Sequence, residues 1–204
     1  MRQHLRQRPL ITLGLAVALA LALGLAIGVT IARPASPGDD SAEAGFARDM
    51  IVHHSQAVNM GMMEYRNGED PDTRRFGYDI GLTQQAQIGI MKTWLSDWGL
   101  NPTTTEPAMG WMDGEMTLVD GRMPGMASPE DIERLDAARG KDSDILFAQL
   151  MIQHHLGGVH MADAVLDRSD DPRVTHLAEV MKNGQQSEIA ALRDKLTALG
   201  APAT

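Results

Sequence analysis

The chain has 204 residues, of which 43% are hydrophobic, so it is long enough to bury one sizeable core. It contains no cysteine, which excludes both a disulfide framework and a thiolate metal site. From residue 41 onward, 14 basic residues stand against 25 acidic ones, and this excess of negative charge disfavours nucleic acid as a partner.

The first forty residues have the pattern of an export segment. A basic end, residues 1–9, precedes 22 mostly apolar residues, 10–31, which as a helix would reach about 33 Å and span a bilayer. This predicts a single-pass transmembrane anchor in the cell membrane, with the N-terminus inside and the remaining chain outside the cytoplasm. The alternative is a cleaved signal segment and a secreted protein. Residues 32–43, which contain two prolines and a glycine, are predicted to be a linker.

An internal repeat follows, with an offset of 101 residues. The segment FARDMIVHHSQAVNM, starting at Phe46, recurs as FAQLMIQHHLGGVHM, starting at Phe147, and 15 of 55 aligned positions are identical without a gap. Repeat one covers residues 46–100 and repeat two covers residues 147–200. Each repeat is predicted to be a helical hairpin, because Asp-Pro at 70–71 and again at 171–172 is typical of an N-cap followed by the first helical position.

Two hairpins with short turns and a long connection predict an all-α fold, a ferritin-like four-helix bundle over residues 44–200. The connection, residues 101–128, is rich in Pro, Gly and Met. It indicates either a flexible loop that captures a soft metal or a cover over the open end of the bundle. The methionines concerned are Met109, Met112, Met116, Met123 and Met126.

Methionines and a histidine pair share one face of the first helix in each repeat. In repeat one they are Met50, His53, His54 and Met60; in repeat two they are Met151, His154, His155 and Met161. Burying four imidazoles for packing alone would cost desolvation energy without an evident gain, which favours a metal site. The alternative is a structural polar network in which the methionines fill the core.

The second helix of each hairpin carries polar residues level with the histidines. Folding each hairpin about its turn predicts that these side chains hydrogen-bond to the imidazoles and fix their tautomers. They are Gln84 and Gln87 in repeat one, and Gln185 and Glu188 in repeat two.

The type of metal follows from the donor atoms. Thioethers and imidazoles without thiolates favour copper, especially Cu(I), whereas zinc gains little from methionine. A di-iron centre expects Glu-x-x-His, and no histidine of this chain has a glutamate three residues before it. The sequence therefore predicts an extracytoplasmic protein that sequesters copper, confers copper resistance, or passes copper to another copper-handling protein. One alternative is a ferritin-like metal-dependent oxidase, for which the sequence indicates no catalytic residue. The other is a structural or interaction bundle without metal.

Several segments resemble a family of bacterial, mostly exported proteins, the domain of unknown function 305 family. They are MIVHHSQAVNM and MIQHHLGGVHM, QQAQI and QQSEI, and MPGMASPEDIERL before the second repeat. The resemblance covers nearly all of residues 44–200 and implies a ferritin-like fold. It also implies a copper-handling role through Met50, His53, His54, Met151, His154 and His155, with no established reaction.

The two half-sites differ in ways that bear on this resemblance. Gln87 replaces the acid of the commoner QxxEI pattern in repeat one, so the half-sites need not be equivalent. Gly157 and Gly158 follow the second histidine pair and would allow a neighbouring helix to approach closely.

Overall fold

The computed structural model describes residues 17–24, 36–112, 114 and 118–202. The chain divides into two compact units, residues 1–36 and 37–204. In the first unit residues 17–24 are helical, and the rest of the predicted anchor, residues 10–31, lies outside the described residues. None of the helices within the described ranges is both long and apolar enough to cross a membrane.

The second unit is helical, and its described residues contain no strand beyond one isolated bridge between Val119 and Arg122. Its helices are α1 (Ala42–Asn67), α2 (Pro71–Asp97), α3 (Pro129–Ala137), α4 (Lys141–Leu166) and α5 (Pro172–Ala198), with a 3-10 turn at Gly110–Met112. The all-α prediction is therefore confirmed for the described part of the chain.

The helix starts follow from local hydrogen bonds. Asp70 and Asp171 cap α2 and α5, each with proline at the next position, as the sequence predicts. Helix α1 begins inside the predicted linker, because the Ser41 side chain accepts a 3.2 Å hydrogen bond from the N–H of Ala44. Helix α4 begins after Gly140, whose φ of +60° suits a residue without a Cβ.

The long helices pack as two hairpins, α1 on α2 and α4 on α5, and α1 also packs on α4. Within the first hairpin, α1 and α2 approach closely at two glycines, where a Cβ on Gly61 would overlap the carbonyl of Gly77. The contact between α1 and α4 brings together the helices that carry the two repeated Met/His segments.

Two apolar clusters form the core. The first cluster includes Phe46, Met50, Met91, Met161 and Met181, and the second includes Met60, Ile80, Phe147, Met151 and Leu192. Full burial of such side chains contributes about 1.5–3 kcal/mol each. Every long helix supplies residues to both clusters, so each helix must also cross the layer that separates them.

The connection between the hairpins lies along α1, and several polar side chains of this helix hold it there. The Asp49 carboxylate accepts hydrogen bonds from the N–H of Met109 at 2.8 Å and from the indole of Trp111 at 2.9 Å. Farther along, Gln56 exchanges two hydrogen bonds with the backbone of Ala127, at 3.0 and 2.8 Å. Both ends of the connection are therefore tied to one helix.

Candidate metal centre

A polar layer separates the two apolar clusters of the core. It consists of His53 and His54 on α1, Gln84 and Gln87 on α2, His154 and His155 on α4, and Gln185 and Glu188 on α5. On each helix these residues lie between positions of the first cluster and positions of the second. All four histidines are completely buried. The structure therefore brings the eight predicted residues to one level of the fold.

In each hairpin, the second histidine of the pair binds a side chain of the hairpin's second helix, α2 or α5. The Nε2 atom of His54 lies 2.8 Å from Gln87 Oε1, and that of His155 lies 2.6 Å from Glu188 Oε2. Two of the four predicted partners, Gln87 and Glu188, therefore bind an imidazole. The prediction is not met by Gln84, neither of whose amide atoms has a partner, nor by Oε1 of Gln185. Because Gln87 and Glu188 both bind through an oxygen acceptor, each of the two imidazoles carries its proton on Nε2.

The first histidine of each pair binds a backbone carbonyl instead. His53 Nε2 donates to the carbonyl of Pro124 at 3.2 Å, and His154 Nε2 donates to the carbonyl of His53 at 3.0 Å. All four rings thus hold their proton on Nε2. The four Nδ1 atoms are buried and have no hydrogen-bond partner, and in a neutral ring this atom keeps a free lone pair.

Burial keeps three of these imidazoles neutral. It lowers the pKa of His53 to about 4 and that of His54 to about 3, and it lowers the pKa of His154 well below 6.5. The closeness of the other imidazoles adds to the effect for all three. A neutral imidazole is the form that binds metal ions.

Several donor atoms of this layer have no hydrogen-bond partner. A buried polar group without a partner costs about 1–3 kcal/mol, and four Nδ1 atoms are in that state together with both amide atoms of Gln84 and Oε1 of Gln185. Within the described residues, no group of three or more His, Asp or Glu is placed to hold a metal ion. An ion held here must therefore take further ligands from other residue types, and thioethers select soft ions.

The predicted thioether ligands are buried beside the layer on both sides. Met50 and Met161 belong to the first apolar cluster, Met60 and Met151 belong to the second, and none of the four has any exposed surface. Each cluster therefore receives one predicted methionine from each repeat.

The methionines of the connection are placed largely inside the fold. Met109, Met112 and Met123 are buried in the first apolar cluster, and Met126 packs against it. Met116 lies outside the described residues. Burial of these residues favours the alternative in which the connection covers the bundle over the one in which it is a flexible arm.

The carbonyl of Pro124 is a site contact that sequence reasoning missed. It reaches His53 because the connection lies directly on α4, where a Cβ at Gly157 would overlap this same carbonyl. Gly125, with a φ of +79°, lies against the backbone of α4. The sequence indicated that a neighbouring helix approaches closely at Gly157 and Gly158. The connection is the neighbour at Gly157, and the Gln185 side chain of α5 is the neighbour at Gly158.

The chain belongs to the family described as Domain of unknown function (DUF305), whose model matches residues 43–196. A DUF305 protein from Streptomyces coelicolor, described as secreted, shares 41% identity and the fold with a TM-score of 0.76, over 81% of this chain and 98% of its own. A DUF305 fragment from Deinococcus radiodurans shares 28% identity with a TM-score of 0.63, over 82% and 99% of the two chains.

A protein named CopM is also similar to this chain. Its Cu(II)-bound structure shares 26% identity with a TM-score of 0.62, over 78% of this chain and 97% of CopM. CopM in its Cu(I)-bound and silver-bound forms, at 22% and 23% identity, has the same fold. A search of curated proteins found no match.

Proposed function

We propose that this chain is an extracytoplasmic copper-binding protein, anchored in the membrane by residues 10–31. Its ferritin-like four-helix bundle holds Cu(I) as cargo through the paired Met/His segments, for sequestration or for transfer to another copper-handling protein. The observation that carries the proposal is the set of four buried imidazoles whose Nδ1 atoms have no partner, with thioethers buried on both sides.

The residues of the polar layer have distinct roles in this proposal. The Nε2–H bonds to Gln87, Glu188 and two carbonyls orient the rings, so that the Nδ1 lone pairs are available before metal arrives. The carboxylate of Glu188 accepts the Nε2–H of His155 and would offset part of the positive charge of a bound ion. The methionines supply the soft donors that Cu(I) prefers.

The comparisons support a metal cargo of this kind. CopM, which has the same fold, is known with copper and with silver bound, and both Cu(I) and Ag(I) are soft ions. The oxidase alternative has less support, because Glu188 is the single carboxylate among the eight side chains of the polar layer and it is engaged by His155.

The test is a titration of the full-length chain in mild detergent with Cu(I) against a competing chelator. We expect stoichiometric binding that weakens by at least about 100-fold when His53, His54, His154 and His155 are replaced by Gln. The matched control is the double variant His160→Gln/His176→Gln, which changes two exposed histidines and should bind as the parent does. Unchanged affinity in the quadruple variant would assign the buried histidines to a structural network.

Removing four buried imidazoles can also weaken the fold, so metal-free thermal unfolding of each variant must accompany the titration. A pair variant, His54→Gln/His155→Gln, keeps the contact between His53 and His154 and serves if the quadruple variant does not fold. Loss of Cu(I) affinity in a folded variant supports the proposal. Parent-like Cu(I) affinity in both double variants, His54→Gln/His155→Gln and His53→Gln/His154→Gln, contradicts it.

A further inference from the structure

A cleft of about 100 Å³ opens between α2 and α5 at the level of the polar layer. The residues that line this α2–α5 cleft include Gln84 and Gln87 from one helix and Met181, Gly184, Gln185 and Glu188 from the other. Four of the eight lining residues belong to the polar layer, so the cleft reaches this layer from the outside.

Two hydrogen bonds join the cleft to the buried imidazoles. Gln87 binds His54 and Glu188 binds His155, at 2.8 and 2.6 Å. The side chain of Glu188 is 24% exposed, whereas that of His155 is fully buried. One hydrogen bond therefore separates solvent from His155, a ligand of the proposed centre. On the other side, the Pro124 carbonyl of the connection covers His53.

Part of the lining of the cleft carries groups that bind cations. Glu188 supplies a carboxylate at the mouth, and the buried amide of Gln84 has no partner for either polar atom. Oε1 of Gln185 is also without a partner, and the Met181 thioether is almost completely buried. Oxygen atoms followed by a thioether could hold a soft cation in steps as it loses its water.

We propose that the α2–α5 cleft is the port through which the metal cargo enters and leaves the bundle. This inference rests on the proposed copper-binding function. A port controls rates and not equilibrium, so blocking it must slow loading and release by the same factor and leave the affinity unchanged.

Gly184 offers a way to block the cleft without touching a ligand. It is exposed, lines the cleft, and has open space where a Cβ would be, so Gly184→Leu places a large side chain at the mouth without a clash at Cβ. Gly89→Leu is the matched control, because Gly89 is an exposed glycine of α2 with the same open space and does not line the cleft. Both substitutions favour the helical state similarly.

The experiment measures Cu(I) loading and its release to a chelator by stopped flow in the full-length chain. We expect Gly184→Leu to slow both by roughly tenfold, which corresponds to a barrier raised by about 1.4 kcal/mol, and Gly89→Leu to match the parent. Equal rates in all three proteins, or equal slowing in both variants, would overturn the port. Weakened affinity in Gly184→Leu would also overturn it, since that result means a distorted site.

The failure of the port can be told apart from the failure of the proposed function. If the parent chain binds Cu(I) tightly and Gly184→Leu loads at the parent rate, only the port is wrong. If the parent chain binds no Cu(I), the copper-binding function is wrong and the port with it.

Discussion

The imidazole rings of His53 and His154, equivalent residues of the two repeats, lie with centroids 3.8 Å apart and planes inclined by 37°. His154 also donates a hydrogen bond to the backbone carbonyl of His53. Two rings this close in a dry core cannot both carry a proton without strong repulsion. The contact between α1 and α4 is therefore built around neutral imidazoles, and its stability should depend on pH.

The metal-free chain should lose stability as the pH falls from about 6.5 to about 4. Burial lowers the pKa values of His53, His54 and His154, so in this window the unfolded chain binds protons that the folded chain does not. The free energy of unfolding should then fall by about 1.4 kcal/mol per pH unit for each such histidine. Denaturant unfolding at pH 7, 6 and 5 measures this slope. His53→Gln/His154→Gln should flatten it and exposed His160→Gln should not; an unchanged slope in the first variant would contradict the assignment.

Glu64 should change the pH dependence of stability in the opposite direction, so that the free energy of unfolding falls as the pH rises. Burial and the nearby Asp144 raise the pKa of the Glu64 carboxyl to about 8, so its proton stabilises the fold less and less as the pH rises from about 4.5 to about 8. Its Oε2 accepts a 2.8 Å hydrogen bond from Ser143. Glu64→Gln should therefore be more stable than the parent at pH 8, by about 1 kcal/mol or roughly 2–4 °C in Tm, and similar to it at pH 4.

Exposed Glu133→Gln is the control for the Glu64 substitution, and calorimetry at the two pH values is the measurement. A gain of stability in Glu64→Gln that is the same at pH 4 and pH 8 would rule out a bound proton as its cause.

Gly157→Ala should destabilise the chain. The new Cβ would overlap the Pro124 carbonyl and displace the connection from α4, which costs about 1–3 kcal/mol. Gly184→Ala, in open space, should instead gain up to about 1 kcal/mol from helix propensity. Thermal unfolding compares the two, and equal effects would mean that the connection does not rest on α4 at Gly157.

Asp49→Ala should loosen the connection around Met109 and Trp111. The change leaves the N–H of Met109 and the indole of Trp111 without their acceptor, and we expect a loss of about 1–3 kcal/mol. Limited proteolysis should then cut within residues 101–128 faster than in the parent. Asp79→Ala, which removes only an exposed ion pair with Arg75, should change neither stability nor cleavage. If Asp49→Ala resists proteolysis as the parent does, the two hydrogen bonds of Asp49 are not needed to hold the connection.

Met50→Leu/Met151→Leu should separate ligation from packing. Leu and Met have similar volumes, so the substitution should cost less than about 1.5 kcal/mol of stability while removing both thioethers. We expect Cu(I) affinity to fall about tenfold or more in the chelator titration. Met63→Leu/Met91→Leu, at two other buried methionines, is the control. Equal affinities in the two double variants would identify Met50 and Met151 as core residues only.

Local sequence signals determined the helical elements and the level of the polar layer. Asp-Pro at residues 70–71 and 171–172 predicts the starts of α2 and α5, because a cap acts within a few residues of itself. The 3.6-residue period, combined with two short turns, also predicts that Gln87 and Glu188 lie level with His54 and His155. These contacts form within a single hairpin, so the sequence around each turn is sufficient to place them.

The tertiary structure alone decided which imidazole nitrogens are free and where the connection lies. The Nε2 atoms of His53 and His154 are occupied by carbonyls 71 and 101 residues away in sequence, and no local pattern specifies such partners. The burial of Met109, Met112 and Met123 likewise depends on Asp49 and Gln56 holding the connection on α1. Caps and periodicity report interactions between near neighbours in sequence, whereas these contacts exist only once the two hairpins have packed together.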